Sequence, residues 1–165
     1  MDGQERTLIV VKPDGVQRAL VGRVLQRFEE VGLKIVGMKM LWIDADFAKK
    51  HYFDLAERRG EHVLRNMVDL MTEGPVVAAV LEGVEAVENV RRLVGSTEPK
   101  SAAPGTIRGD FAHHSFVYTD EKGKGIRNLI HASGNVEEAK QEIALWFKPE
   151  EIHDYQTDQQ KHHSF

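Results

Sequence analysis

The sequence predicts an α+β fold, a split βαβ sandwich with helices packed on one face of a largely antiparallel sheet. Three observations predict it. The elements run strand, helix, strand, helical hairpin, strand, helix, long loop, strand, helix, an order that this architecture accommodates. The strands are short β-branched runs bounded by turn signals. At 165 residues and 41% apolar content, the chain suits one compact domain over 1–165, with a core over about 5–155 and a polar tail over 156–165. A domain of that size buries roughly 70% of its unfolded surface.

The first strand, 7–11, reads Thr7-Leu8-Ile9-Val10-Val11, a continuous run typical of a strand buried on both faces. It stops at the turn Lys12-Pro13-Asp14-Gly15, which leaves Lys12 where a core strand emerges. Such a lysine is placed equally well to meet a phosphate or to lie in solvent. The spacing of Val21, Val24, Leu25, Phe28 and Val31 predicts a helix over 21–31, closed by Gly32. The next strand, 33–43, has apolar side chains on both faces and is expected to be largely buried. A helix over 44–56 follows, with Asp44 as N-cap; Tyr52 lies on its apolar side, where core packing explains it as well as a hydroxyl reaching a ligand. After Glu57-Arg58-Arg59-Gly60-Glu61, a second helix turns Val63, Leu64, Met67, Leu70 and Met71 inward and ends at Gly74-Pro75.

A third strand covers 75–81, and a helix over 84–94 is acidic at its start and basic at its end, as the helix dipole prefers. Arg91 falls in its last turns, where solvation is the ordinary explanation. The stretch 95–110 has no usable period and is rich in Pro, Gly, Ser and Thr. A loop of that length between regular elements is usually functional. Strand character returns over 112–119, before a charged, glycine-rich tip over 120–125. Then comes Asn128-Leu129-Ile130-His131-Ala132-Ser133-Gly134, an apolar strand end, a histidine and small residues around it. A strand-terminal histidine with a satisfied hydrogen bond is the ordinary reading of that segment taken alone. The last helix, 136–147, carries Val136, Ala139, Ile143 and Phe147 on its inner face.

Composition excludes several classes of function. Without cysteine there is no disulfide, thiolate metal site or cysteine nucleophile. No signal-peptide pattern and no apolar run of membrane length appear, so a soluble, cytoplasmic protein with no membrane partner is expected. A net charge of −4 gives no basic footprint for specific nucleic-acid binding. Any anion site must therefore be local. Neither a P-loop nor a G-x-G-x-x-G fingerprint occurs. Yet Lys12, Arg91 and Arg108 lie at element ends or in the long loop, with Thr97 and Asn128 as neutral donors. Together with His131 they would suit a polyphosphate, cations neutralising oxygens and an imidazole acting as nucleophile. A histidine with an ordinary pKa near 6.5 is mostly neutral at pH 7. It needs a partner to fix its tautomer, and Glu142 on the following helix is a candidate.

Three stretches carry a family resemblance: Val11-Lys12-Pro13-Asp14-Gly15-Val16-Gln17-Arg18, Pro104-Gly105-Thr106-Ile107-Arg108-Gly109-Asp110-Phe111, and Asn128-Leu129-Ile130-His131-Ala132-Ser133. They resemble the signature stretches of nucleoside diphosphate kinases, in the right order, and the similarity runs over about 5–155. The resemblance implies a ferredoxin-like fold with a four-stranded antiparallel sheet and a long active-site loop. It also implies Mg²⁺-dependent transfer of the γ-phosphoryl group from a nucleoside triphosphate to a nucleoside diphosphate through a phosphohistidine. By motif match His131 is the nucleophile and Glu142 its orienting carboxylate, with Ser133 nearby. Lys12, Tyr52, Arg91, Thr97, Arg108 and Asn128 match phosphate and ribose contacts. A homo-oligomer is implied, with a hexamer preferred over a tetramer.

The chain departs from the family in three places. Where members carry a phenylalanine that stacks on the base, alignment back from Gly74-Pro75 puts Val63, with Met67 as its apolar neighbour. Loss of the ring forfeits on the order of 1 kcal/mol, so weaker base binding with broad base tolerance is expected. Where many members have an aspartate near the metal's waters, Gly134 stands, which leaves Mg²⁺ to the nucleotide phosphates. And 113–126 is longer than usual, read as a surface hairpin around Gly123 and Gly125 that covers either the cleft or a subunit contact. Two other readings compete: a non-catalytic nucleotide-binding relative, disfavoured by His131, Lys12 and Arg108, and a metal site from His113, His114, His162 and His163, whose spacing suits no common geometry.

Overall fold

Four antiparallel strands in the order β2-β3-β1-β4 form the sheet on which the chain is built. The structure, a computed structural model, describes residues 3–163; the extremities of the expected domain and the end of the expected polar tail lie outside the described residues. β1 (Gln4–Val11) occupies the centre with β3 (Val76–Val84) on one side and the short β4 (Ile130–Ala132) on the other. β2 (Lys34–Leu41) is the outer strand beyond β3, with a bulge between Ile35 and Gly37. The four-stranded antiparallel sheet of the expected α+β fold is present.

The helices, however, cover both faces of the sheet, not one. Leu8, Val10, Val76, Ala78 and Val80 pack with Ala48 of α3 (Ala45–His51), Val68 and Met71 of α5 (Glu61–Thr72) and Trp146 of α9 (Val136–Trp146). Ile9, Val11, Val77, Ala79 and Leu81 face the other way, against Val24 and Phe28 of α2 (Val21–Glu29) and Val90 and Val94 of α6 (Ala86–Val94). The reason is in the strands themselves. β1 and β3 are apolar at consecutive positions, and a strand apolar on both sides needs cover on both.

Three local expectations are corrected. The helix expected over 44–56 breaks at Tyr52, which caps α3, before α4 (Leu55–Arg59) begins. Asp44 is the N-cap as expected, accepting from Phe47 N–H at 2.8 Å. β2 is buried only in its first half: Met38 (56% exposed), Met40 (61%) and, just beyond it, Trp42 (67%) form an open apolar strip. The expected strand over 112–119 and the hairpin after it are instead a helix, α8 (Phe116–Glu121). Phe, Val, Tyr and Thr favour strands, but Ser115 caps the helix by accepting from Tyr118 N–H at 3.2 Å. Its end is a Schellman turn: Gly123, at φ +58°, donates to Asp120 O, and Lys124 N–H to Thr119 O. A short α7 (Ile107–Phe111) follows the long loop, capped by Thr106.

Candidate active site

The geometry of the site begins with the pairing of β4 to β1, which sets His131 opposite Val10. The chain enters β4 through a one-residue turn. Leu129 has φ +56°, and Ile130 N–H donates back to Asn128 O at 2.8 Å. A leucine in that region is strained by about 1–3 kcal/mol, and two bonds hold it there. Leu129 N–H donates to the Asp14 carboxylate at 3.0 Å, and Leu129 O accepts from Lys12 N–H at 2.9 Å. The first short helix, α1 (Pro13–Gln17), thus clamps the histidine segment. Gly15 is required by this contact: a Cβ there would lie 2.9 Å from Leu129 O and 2.8 Å from a Val11 methyl.

His131 is half-buried. Its Nε2 lies 2.7 Å from Glu142 Oε2 of α9, and the Ser133 hydroxyl donates to the same oxygen at 2.9 Å. A carboxylate only accepts, so Nε2 carries the proton and Nδ1 keeps its lone pair. A second imidazole, His51, packs edge-on against His131 with ring centroids 4.4 Å apart. Trp146 donates its indole N–H to His51 Nδ1 at 3.1 Å, which puts the His51 proton on Nε2, a buried atom with no partner. Burial first, then the neighbouring His131 and Lys12, pushes the His51 pKa well below the ordinary imidazole value.

A cleft of about 280 Å³ opens in front of His131. Lys12, Tyr52, Thr97, Arg108 and Asn128 line it beside His131, and Val63 and Met67 line it from α5. Lys12 is 2% exposed, and its Nζ donates to Ile126 O at 3.3 Å. Burial, opposed by Asp14 and reinforced by Arg108, lowers its pKa to about 8. The Arg108 guanidinium donates to Ile130 O (2.6 Å), Gly95 O (3.1 Å) and Asn128 O (3.4 Å). Burial and then Arg91 lower its pKa to about 10, which leaves it a cation at neutral pH. The Asn128 side-chain amide donates to Thr97 O at 2.8 Å, while its side-chain oxygen Oδ1 is buried and unpaired. Burial, then the Glu142 charge, raises the Tyr52 phenol above its usual pKa, so the hydroxyl stays a donor.

The structure therefore gathers eight of the ten sequence-derived candidates on one cleft. Glu142 stands behind His131, in the wall of an adjoining cavity, and Arg91 is exposed on α6, outside the cleft lining but near enough for its charge to act on Arg108. In a chain of net charge −4, the cleft also draws Arg58, Arg59 and Lys124 to its walls against Asp120. Such a concentration of cations suits a polyanion. Sequence reasoning missed His51 and gave Asp14 no role beyond its turn. His51 stands next to Tyr52 in sequence, but its ring contact with His131 exists only in space.

Among the described residues, one group of three metal-ligating side chains is close enough to share an ion: His51, His131 and Glu142. Nitrogen donors suit transition metals, whereas Mg²⁺ takes oxygens and keeps most of its waters. Where the family's usual aspartate would stand, a Cβ on Gly134 would meet Glu138 Oε2 at 2.5 Å, and that carboxylate is held by Gly134 N–H (3.0 Å) and the Asn135 amide (2.9 Å). His113 and His114 form a ring pair 5.8 Å apart and are not among the residues that line the cleft.

A family model described as nucleoside diphosphate kinase matches residues 5–152. A nucleoside diphosphate kinase of Borreliella burgdorferi is 51% identical over 163 residues, covering 98% of both chains. Nucleoside diphosphate kinase A of Rattus norvegicus is 45% identical over 157 residues, 95% of each. Among solved structures, the transition-state mimic of the Borrelia burgdorferi enzyme with vanadate and ADP superposes with a TM-score of 0.95 at 51% identity, over 98% of this chain and 97% of that one. A halophilic nucleoside diphosphate kinase from Halobacterium salinarum in complex with CDP gives a TM-score of 0.82 at 41% identity, over 96% and 97%. The chain belongs to the nucleoside diphosphate kinase family, enzymes that transfer the γ-phosphoryl group of a nucleoside triphosphate to a nucleoside diphosphate.

Proposed function

We propose that this chain, acting as one domain, carries out that transfer in two half-reactions through His131. The Nδ1 lone pair forms a bond to the γ-phosphorus of a nucleoside triphosphate as the bond to the β–γ bridging oxygen breaks. The bonding electrons leave with the nucleoside diphosphate. A second diphosphate then attacks the phosphohistidine and returns Nδ1 to its starting state. The observation that carries the reading is the 2.7 Å contact between His131 Nε2 and Glu142, which leaves the other nitrogen free beside a cluster of cations. As phosphorus bonds to Nδ1 the imidazole gains positive charge, and the Glu142 carboxylate stabilises it.

Lys12 and Arg108 neutralise phosphate oxygens, Arg91 adds charge from the flank, and Thr97, Asn128 and Tyr52 supply neutral donors to phosphate or ribose. Val63 and Met67 give the base an apolar wall without directional bonds, which supports broad base tolerance. The site's donors fit a Mg²⁺ that arrives on the nucleotide, since neither Gly134 nor the bonded Glu138 offers an open carboxylate. When bound there, such an ion would offset the negative charge of the phosphoryl group in transfer. The activity would maintain nucleoside triphosphate pools in the cytoplasm; no helix among the described residues is long and apolar enough to cross a membrane. The reading includes a homo-oligomer, a hexamer in preference to a tetramer, and the open strip Met38, Met40 and Trp42 supports burial against a second copy.

The test is incubation with γ-labelled ATP. An acid-labile, alkali-stable protein label that is absent from His131→Ala is the expected result, and an unlabelled native protein would overturn the reading. Chasing the labelled protein with several diphosphates should discharge it with each base.

A further inference from the structure

The segment that the sequence left as a hairpin forms part of the cleft wall. Phe116, Thr119 and Asp120 of α8, with Lys124 to Ile126 after it, line the same cleft as His131. The segment is clamped at both ends. At its start, Phe116 N–H donates to the Glu98 carboxylate at 3.0 Å, and Lys100 N–H donates to His114 O at 3.0 Å, tying α8 to the long loop. At its end, Gly125 lies against α5, where a Cβ would come within 2.8 Å of Asn66 O. Arg127 adds an ion pair to Glu73 at 2.9 Å. A wall fixed in this way can present a side chain in a defined place.

Three aromatic rings line the cleft: Tyr52, His131 and Phe116. Tyr52 and His131 both pack on His51, with centroids 4.6 and 4.4 Å away, which assigns them to the phosphate end. Phe116 lies elsewhere, with the Arg59 guanidinium of α4 5.4 Å from its ring centroid. The same lining holds the apolar Val63 and Met67 of α5, with the polar Asn66 and Asp120. This is the part of the cleft left for a nucleobase once the phosphates lie at His131, and α5 contributes no ring to its lining.

We propose that Phe116 supplies the aromatic face on which the nucleobase stacks, with Val63 and Met67 completing the apolar walls and Arg59 holding the ring in place. The ring missing from α5 is thus restored from the inserted segment. The proposal rests on the kinase reading above and names the part of the molecule that recognises the base. Stacking on a phenyl face is tolerant of base identity, because every base has a π-face. The Thr119 hydroxyl is committed to the backbone oxygens of Ser115 and Phe116, so it does not read base edges. The expected broad tolerance therefore stays, while the expected weakness of base binding is lifted.

The experiment compares ADP with the base-free ligand ribose 5-diphosphate, measuring binding to the full-length native protein and to Phe116→Ala, Phe116→Leu and Phe116→Tyr. Phe116→Ala should weaken ADP about fivefold to tenfold and leave ribose 5-diphosphate unchanged. Phe116→Leu, which keeps apolar bulk, should lose about half of that factor, and Phe116→Tyr should bind as the native protein does. ADP affinity unchanged in both the Ala and Leu variants, or an equal loss for the base-free ligand, overturns the proposal. If the Ala variant unfolds at a lower temperature, the Leu variant decides the matter by the same comparison. Labelling of His131 by saturating ATP separates the two levels: labelling with unchanged ADP affinity removes only the stacking role, whereas no labelling of the native protein removes the kinase reading itself.

Discussion

The two ends of the cleft, the proposed phosphate end and the proposed base end, are built in opposite ways. At the phosphate end, Lys12, Arg108 and Asn128 are buried and bonded to backbone, and the histidine segment is threaded through a strained turn held from α1. Moving one group there disturbs several others. At the base end, α4 and α8 are short helices, α8 capped by Ser115, joined to each other by a cation–ring contact. Phosphoryl transfer needs reacting atoms placed within fractions of an ångström and charge ready before the reaction begins. Base binding needs a stacking face and apolar cover, without directional bonds. The molecule interlocks buried groups where the chemistry is the same for every substrate and relies on surface contacts where substrates differ.

The contrast can be broken at its stiff end first. Arg108→Ala would remove three bonds, to the carbonyls of Gly95, Ile130 and Asn128, and leave the last with the Ile130 N–H alone. At about 1 kcal/mol for each bond, the native state should lose about 3 kcal/mol, and kcat/KM should drop about a thousandfold with the lost phosphate charge. Thermal unfolding and steady-state rates read the two effects separately. A variant that lost activity but no stability would show that Arg108 is less integrated than its bonds indicate.

Glu142→Gln should lower kcat about tenfold to a hundredfold with little change in KM, because the amide can still accept from His131 Nε2 but brings no charge to offset the forming imidazolium. A rise in KM at constant kcat would contradict that role.

Lys12 gives a smaller and graded effect. With its pKa lowered to about 8, the free protein loses this cation as pH rises through 8, and kcat/KM should fall along that limb. Bound phosphate favours the charged form, so the corresponding limb of kcat should lie at higher pH. Stability moves the other way. Between about pH 8 and the usual lysine value of 10.5, the unfolded chain holds the proton that the folded one has released, so this group makes folding more favourable as pH rises. A kcat/KM profile flat to pH 9.5 would show that the buried amine keeps its proton.

The same contrast explains what could be read from sequence. The phosphate end was legible because rare residue types stand at marked places: Lys12 before a turn, Arg108 in a loop without period, His131 among small residues. The unbroken apolar runs Leu8 to Val11 and Val76 to Leu81 located the core strands; their apolarity on both sides calls for cover on both faces, which the expectation of helices on one face overlooked. The base end was not legible. Phe116-Val117-Tyr118-Thr119 has strand composition, and a single capping serine decides for a helix. His51 gave no signal either, since its place beside His131 depends on the turn at Tyr52 that separates α3 from α4. Glu142 was reachable as the helix residue that could look back at the histidine, but its shared bond with Ser133 depends on how α9 docks on β1.

The central claim is that Glu142 holds one nitrogen of His131 and leaves the other to the phosphorus. Identification of the phosphorylated nitrogen, by phosphorus NMR of the alkali-denatured phosphoprotein, tests it most directly. A single phosphohistidine substituted at Nδ1, absent from His131→Ala, is the expected result. Phosphate on Nε2 of His131, or on any other residue, would contradict it.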